Sequence, residues 1–186
     1  MGEETNIIFK EEQRFRQKWL WYLILLSFVI TFAMVGYGIA IHLGTVHTGV
    51  KKPEPVGVLA VTGIIEVIAA LAVFGLFYAT RLLTEVRTDG LYVRFVPFHF
   101  SYRRIGFDTL KTYAVRTYSP IGEYGGWGIR WSWRNGWAYN VSGNRGVQLE
   151  LVGGKKILIG SQRPGELAGA IALMTGGQKA VPPVRP

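Results

Sequence analysis

Cysteine is absent from the chain, which excludes a disulfide framework, a thiolate metal site and a cysteine nucleophile together. Histidine is scarce: His42, His47 and His99 stand far apart with no carboxylate cluster beside them, so the spacing of a zinc site is missing. Acidic residues number 12 against 21 Lys and Arg. The six Asp and Glu beyond residue 80 include no close pair for acid–base work. No Ser-His-Asp order, HExxH, P-loop or dinucleotide-binding glycine pattern occurs. The expectation is a protein that is not an enzyme and needs no cofactor or metal.

Two apolar blocks organise the rest. Trp19–Ile41 is 23 residues without a charge, with Trp19, Trp21 and Tyr22 at its entrance, where aromatic rings favour the headgroup level. Val56–Thr80 is 25 residues whose one charged side chain is Glu66. As a helix rising ~1.5 Å per residue the second block reaches roughly 37 Å, enough for a hydrocarbon core of ~30 Å. The first block exceeds the apolar run of a secretory signal, its leader carries four Glu, and no A-x-A site follows. A transmembrane hairpin over 19–80 is expected, with a juxtamembrane amphipathic lead-in at 1–18 and a polar connector at 42–55.

Charge sets the orientation. Lys10, Arg14, Arg16 and Lys18 precede the first block and Arg81, Arg87 and Arg94 follow the second, whereas the connector has Lys51 and Lys52. The positive-inside rule then puts both termini in the cytoplasm, in a multi-pass protein of the cell membrane. Residues 1–80 carry six Lys/Arg and six Asp/Glu; residues 81–186 carry fifteen against six. The excess of positive charge lies in the part expected outside the bilayer, so anionic headgroups are the expected partner rather than nucleic acid.

From Arg81 onward the periodicity changes to that of strands. Runs at 82–88 and 91–96 flank Asp89-Gly90, a pair suited to a type I′ hairpin turn. Further strands are expected at 102–107, 112–118, 127–134, 137–141, 146–152 and 155–160, with turns at Asn135-Gly136 and Gly153-Gly154. In 146–152, Val147, Leu149 and Leu151 alternate with Gln148 and Glu150, as in a half-buried strand. Pro164–Met174 reads as a helix with an apolar stripe of Leu167, Ala170, Ile171 and Met174, stopped by Gly176-Gly177. The tail at 176–186 is expected to be disordered.

The order of elements, with the runs TDGLYVRFVPF, RRIGFDTLKTYAVRTY and GVQLELVGGKKILIGSQRPGELAGAI, resembles the bacterial and archaeal pleckstrin-homology-like membrane proteins over about residues 10–175. The resemblance implies an α+β membrane protein: a transmembrane hairpin, then at 81–175 an antiparallel β-barrel or sandwich of about seven strands with a C-terminal helix. It implies binding or scaffolding and carries no assigned reaction. Phosphoinositide-binding members use a basic loop between their first two strands; here that connection is Asp89-Gly90, tight and acidic.

A two-residue turn at Asn135-Gly136 pairs Arg134 with Trp137 and Ser132 with Tyr139. One face then carries Trp127, Ile129, Trp131, Trp133 and Ala138, the expected core. The other carries Arg130, Arg134, Trp137 and Tyr139, an outward mixture suited to a membrane interface, a protein partner, or intramolecular stacking of Arg on rings. Ser142–Gly146 offers amides to a phosphate or is simply a turn. Arg103-Arg104 and Lys155-Lys156 read as solvated charge. Glu66, near mid-bilayer, needs a partner: Ser27, Thr31 or Tyr37 of the first helix, another subunit in a homo-oligomer or membrane complex, or a proton pathway.

Overall fold

The computed structural model describes residues 6–15, 17–43 and 56–181. The chain divides into two compact units, one of helices and one of strands. The helical unit holds α1 (Lys18–His42) and α2 (Val56–Ala79). Side chains such as Leu25, Phe32, Ile64 and Leu71 stand exposed on several sides of both helices, and a helix apolar all round has no water-facing stripe. Both are long and apolar enough to cross a membrane. Trp21 meets Phe74 edge-on at 5.3 Å between centroids. The connector expected at 42–55 begins later: His42 is the last residue of α1, and 44–55 lie outside the described residues.

The strand unit begins earlier than expected. Within 1–18, anticipated as an amphipathic lead-in, Ile7–Arg14 forms a strand, β1. Its inward positions are Phe9, Glu11 and Gln13; two of three are polar, so no apolar alternation marks it. Polar bonds make up the difference. Glu11 accepts from Ser161 Oγ at 2.5 Å and from the Gln162 amide at 2.7 Å, and Gln13 Nε2 donates to the Gly160 carbonyl at 2.7 Å. These satisfy the Glu11 carboxylate and the Gln13 amide nitrogen, whose burial alone would be costly, while Gln13 Oε1 is buried without a partner among the described residues.

After the helices come β2 (Arg81–Arg87), β3 (Gly90–Val96), β4 (Arg103–Gly106), β5 (Leu110–Thr117), a short helix α3 (Pro120–Tyr124), β6 (Gly128–Ser132), β7 (Gly136–Asn140), β8 (Arg145–Leu151), β9 (Lys156–Gly160) and α4 (Pro164–Thr175). Among the described residues nine strands form two sheets, ordered β1-β2-β3-β4 and β5-β8-β9-β7-β6, and not a closed barrel. The expectation of purely antiparallel pairing fails at one place: β7 and β9 run parallel. Two successive chain reversals separate them, and β9 inserts between β8 and β7, so they must point the same way. Leu82, Val86, Leu91, Val93 and Phe95 from one sheet meet Val147, Leu149, Ile157 and Ile159 from the other, with Leu167 and Ile171 of α4 joining them.

Two turns differ from expectation. Arg87 pairs with Gly90, so the β2–β3 loop is Thr88-Asp89, and Gly90 serves instead for close approach: a Cβ there would stand 2.8 Å from the Ile105 carbonyl oxygen. Ser132 pairs with Gly136, so the β6–β7 loop is the three residues Trp133, Arg134 and Asn135. The tail expected to be disordered is placed as far as Val181: Tyr113 donates to the Lys179 carbonyl and accepts from the Val181 amide. β5 is the outer strand of its sheet, and the tail satisfies backbone groups that an edge leaves free. Residues 182–186 lie outside the described residues.

Candidate functional site

The register of the β6–β7 hairpin decides which side chains it presents. Ile129 pairs with Tyr139, Trp131 with Trp137, and Arg130 with Ala138. Compared with the two-residue turn expected from Asn135-Gly136, the partner sum shifts by an odd number, which sets Trp137 and Tyr139 on the face of Ile129 and Trp131, and Ala138 on that of Arg130. Tyr139, expected outward, is buried in the main core, where its hydroxyl accepts from Arg103 Nη1 at 3.0 Å. Trp131 and Trp133, expected in the core, are exposed, Trp133 to 90%. Ala138 is buried as expected, and Arg130, Arg134 and Trp137 are exposed as expected.

The cause is local. Gly136 has φ +72° and lies so close to β9 that a Cβ would come 2.2 Å from the Lys156 carbonyl oxygen. A left-handed glycine closing a three-residue loop is the standard alternative to the two-residue hairpin. The short helix α3 braces that loop. Ser119 caps it by accepting from the Gly122 amide, and Pro120 sits in its first turn. Glu123 then forms an ion pair with Arg116 and accepts from Asn135 Nδ2 at 3.1 Å.

On one face of the hairpin Ala138 packs with Tyr118, Tyr124 and Leu158 in a small second core. Burial pushes the hydroxyls of Tyr118 and Tyr124 up to about 12, so both stay neutral. Buried Asn140 bonds Tyr118 Oη and the Gly128 amide. The opposite face carries Ile129 and Tyr139 into the main core. Residues two apart along a strand share a face, so Trp131, Trp133 and Trp137 continue that core-facing side past its cover. Trp131 and Trp133 meet edge-on at 4.7 Å.

Arg130, paired with Ala138, projects from the face opposite this stripe, and Arg134 lies in the loop beyond it. Arg130 Nε donates to the Trp127 carbonyl at 2.9 Å, and among the described residues neither guanidinium lies over a ring or against a carboxylate. The strand pair and its loop, 127–141, contain no Asp or Glu. The hairpin can therefore present indole rings from one face and cations from the other face and the loop.

The other candidates are dispersed. The Ser142–Gly146 turn uses its carbonyls internally: Gly143 accepts from Trp127 Nε1 and Asn144 from the Tyr118 amide. Arg104 pairs with Asp89 at 2.9 Å, and Arg103 is engaged by Tyr139. Glu66 is exposed on α2; Ser27, one expected partner, donates instead to Ile24 O at 2.7 Å. No hydrogen bond joins Glu66 to Thr31 or Tyr37 among the described residues. His99 is buried and single, and no group of His, Asp and Glu among the described residues is placed to hold a metal.

Residues missed from the sequence include Glu85, which is 2% exposed. Burial pushes its carboxyl up, but bonds from Arg87, Lys10 and Tyr102 outweigh that and hold it below the usual range. Ser119-Pro120 followed by Glu123 was a helix-start signature available in the sequence. A family model described as a family of unknown function (DUF6141) matches residues 2–176. No curated protein and no solved structure matches the chain.

Proposed function

The chain belongs to this family of unknown function, DUF6141, and we propose that it is a membrane-anchored binding protein without catalytic activity. The two helices cross the cell membrane as a hairpin, and the strand unit lies on the cytoplasmic leaflet with both chain ends on that side. The β1–β2 ladder supports the hairpin: it runs from Ile7↔Arg87 to Arg14↔Arg81. The segments before and after the two helices therefore occupy one compartment. Lys/Arg bias assigns that compartment to the cytoplasm. The order of strands ending in one helix packed on β1, β2, β5 and β8 supports the pleckstrin-homology-like reading, from which the parallel β7–β9 pair is a departure.

One observation carries the binding role: the core-facing side of the β6–β7 hairpin runs on uncovered as Trp131, Trp133 and Trp137, on a hairpin braced by α3 that also exposes Arg130 on its opposite face and Arg134 in its loop. Indole and guanidinium together suit the headgroup layer, and the positive charge of this half of the chain selects anionic lipid. Because the chain has no cysteine, Trp133→Cys gives a single labelling site. With a polarity-sensitive fluorophore there, the full chain in anionic vesicles should emit to the blue of the same chain in neutral vesicles. Arg130→Gln with Arg134→Gln should abolish the difference. Identical emission in both lipids would remove the lipid role.

A second reading rests on Glu66. An exposed carboxyl near the middle of α2 is costly in hydrocarbon unless another helix covers it, which supports an accessory subunit of a transporter or membrane enzyme, or a homo-oligomer. Glu66→Leu should then lose a cross-linked complex that Glu66→Gln retains; equal cross-linking in both variants rejects this reading.

A further inference from the structure

The loop between β3 and β4, Pro97–Tyr102, presents two phenylalanines without burying them: Phe98 is exposed and Phe100 is 94% exposed. It is nevertheless held firmly. His99, between them, is buried. Its amide donates to the Phe95 carbonyl at 2.8 Å, and its Nδ1 accepts from the Phe95 amide at 3.2 Å. Its carbonyl accepts from Arg94 Nε at 3.2 Å, and its ring meets Tyr139 edge-on at 5.7 Å. The buried residue works as a peg, and the rings on either side of it stand outward.

The position of the loop matters as much as its side chains. Arg14, Arg81 and Val96 are consecutive partners across β1, β2 and β3. The chain leaves β1 for α1 just after Arg14, enters β2 just after α2, and turns through Pro97–Tyr102 just after Val96. All three happen at one end of the sheet. Arg14 and Arg81 are partly exposed there, sharing Glu12 between them, with Arg94 and Arg103 on the flanks of the loop. Four guanidiniums against Glu12, with Glu85 at the Tyr102 hydroxyl already paired with Arg87 and Lys10, leave that end positive.

We propose that Pro97–Tyr102 is a second membrane contact, in which Phe98 and Phe100 enter the boundary between headgroups and acyl chains while Arg14, Arg81, Arg94 and Arg103 face anionic phosphates. Aromatic rings settle at that depth and basic side chains reach anionic headgroups from it. The loop is continuous with the tryptophan stripe through Tyr139, which touches His99 and Arg103 and shares its strand face with Trp137. The strand unit is thereby fixed against the leaflet at two places besides its covalent tether. This inference rests on the anchoring proposed above.

Single-cysteine variants of the full chain in anionic vesicles separate the two. Phe100→Cys, Thr88→Cys and Ile64→Cys each carry a polarity-sensitive label, read with and without a lipid bearing a quencher near the headgroup. Thr88 lies in the turn at the opposite end of the sheet, and Ile64 is exposed within α2. The Phe100 label should shift to the blue and be quenched, and the Thr88 label should report water. A Phe100 label that reports water while the Ile64 label sits in an apolar environment overturns the loop contact and leaves the anchor standing. A blue-shifted Phe100 label that the lipid fails to quench means a protein contact, and also overturns it. An Ile64 label reporting water overturns the anchoring itself.

Discussion

On the outer face of the β1–β4 sheet, Arg87 lies 4.3 Å over the Tyr92 ring and 5.3 Å from that of Tyr102. The β6–β7 hairpin exposes three tryptophans together with Arg130 and Arg134, and neither arginine lies over any of those rings. The side-chain types match; the acids do not. Glu85 gathers Arg87 at 2.6 Å, Lys10 at 3.0 Å and the Tyr102 hydroxyl at 3.0 Å. Asp89 takes the Tyr92 hydroxyl at 2.6 Å and Arg104 at 2.9 Å. The hairpin has no acid of its own, and the nearby Glu123 is already committed to Arg116 and Asn135. Arginine beside an aromatic ring is thus internal cement where a carboxylate fixes it, and an outward-facing surface where none does.

The sharpest way to break this contrast is to remove what holds the tryptophans outward. Gly136→Ala puts a Cβ into the Lys156 carbonyl at a left-handed φ, and should cost about 3 kcal/mol in chemical unfolding of the full chain. Faster amide exchange at 136–140 would accompany the loss; unchanged exchange would mean that the hairpin register is set elsewhere. Next comes Glu85→Gln, expected to cost about 2 kcal/mol because three donors lose a charged acceptor. Its pH dependence has a definite sign. The folded carboxyl is held below the unfolded value of 4.5, so its contribution is full above that value and is lost as pH falls through the lower, folded one. The gap between wild type and variant should close only in acid. Arg130→Gln with Arg134→Gln should move stability by less than about 0.5 kcal/mol while removing the response to anionic lipid. A loss comparable with that of Glu85→Gln would show that the hairpin arginines are cement as well.

The same contrast shows what the sequence discloses. Within-strand alternation is a local property, and it placed Val147 and Leu149 inward in β8 as observed. Facing inferred from an assumed turn length is fragile. At β2–β3 the loop moves by one residue at each end, the partner sum shifts by two, and the faces survive. At β6–β7 the sum shifts by three, so Trp137 and Tyr139 trade faces with Ala138 relative to the side chains of β6. That shift needed the contact between Gly136 and the Lys156 carbonyl, two residues far apart in sequence, which no local pattern contains. β1 was hidden for a related reason: its inward Glu11 and Gln13 bond Ser161, Gln162 and Gly160, far along the chain, so a polar pattern reads as surface. The assumed two-residue turn also puts the hairpin arginines outward, and they are exposed although the pairing differs.

The smallest expected effect lies where the two surfaces meet, at His99. Its Nδ1 must be unprotonated to accept from the Phe95 amide, and burial, with the Arg103 charge as a lesser cause, holds its pKa below the ordinary 6.5. The groups packed around it are the Arg94 and Arg103 guanidiniums and the Tyr139 ring, so nothing acidic among them offsets a second positive charge. An unfolded chain takes up this proton more readily than the folded one. Stability from His99 is therefore fully present above 6.5 and declines as pH falls from there through the folded value. His99→Asn keeps an acceptor and removes the titration. Between about pH 7.5 and about pH 5.5, wild type should lose melting temperature relative to this variant. Parallel curves would show that the peg holding Phe98 and Phe100 outward does not depend on a neutral ring, and that the loop is fixed by the bonds of the His99 backbone to the Phe95 carbonyl and the Arg94 side chain alone.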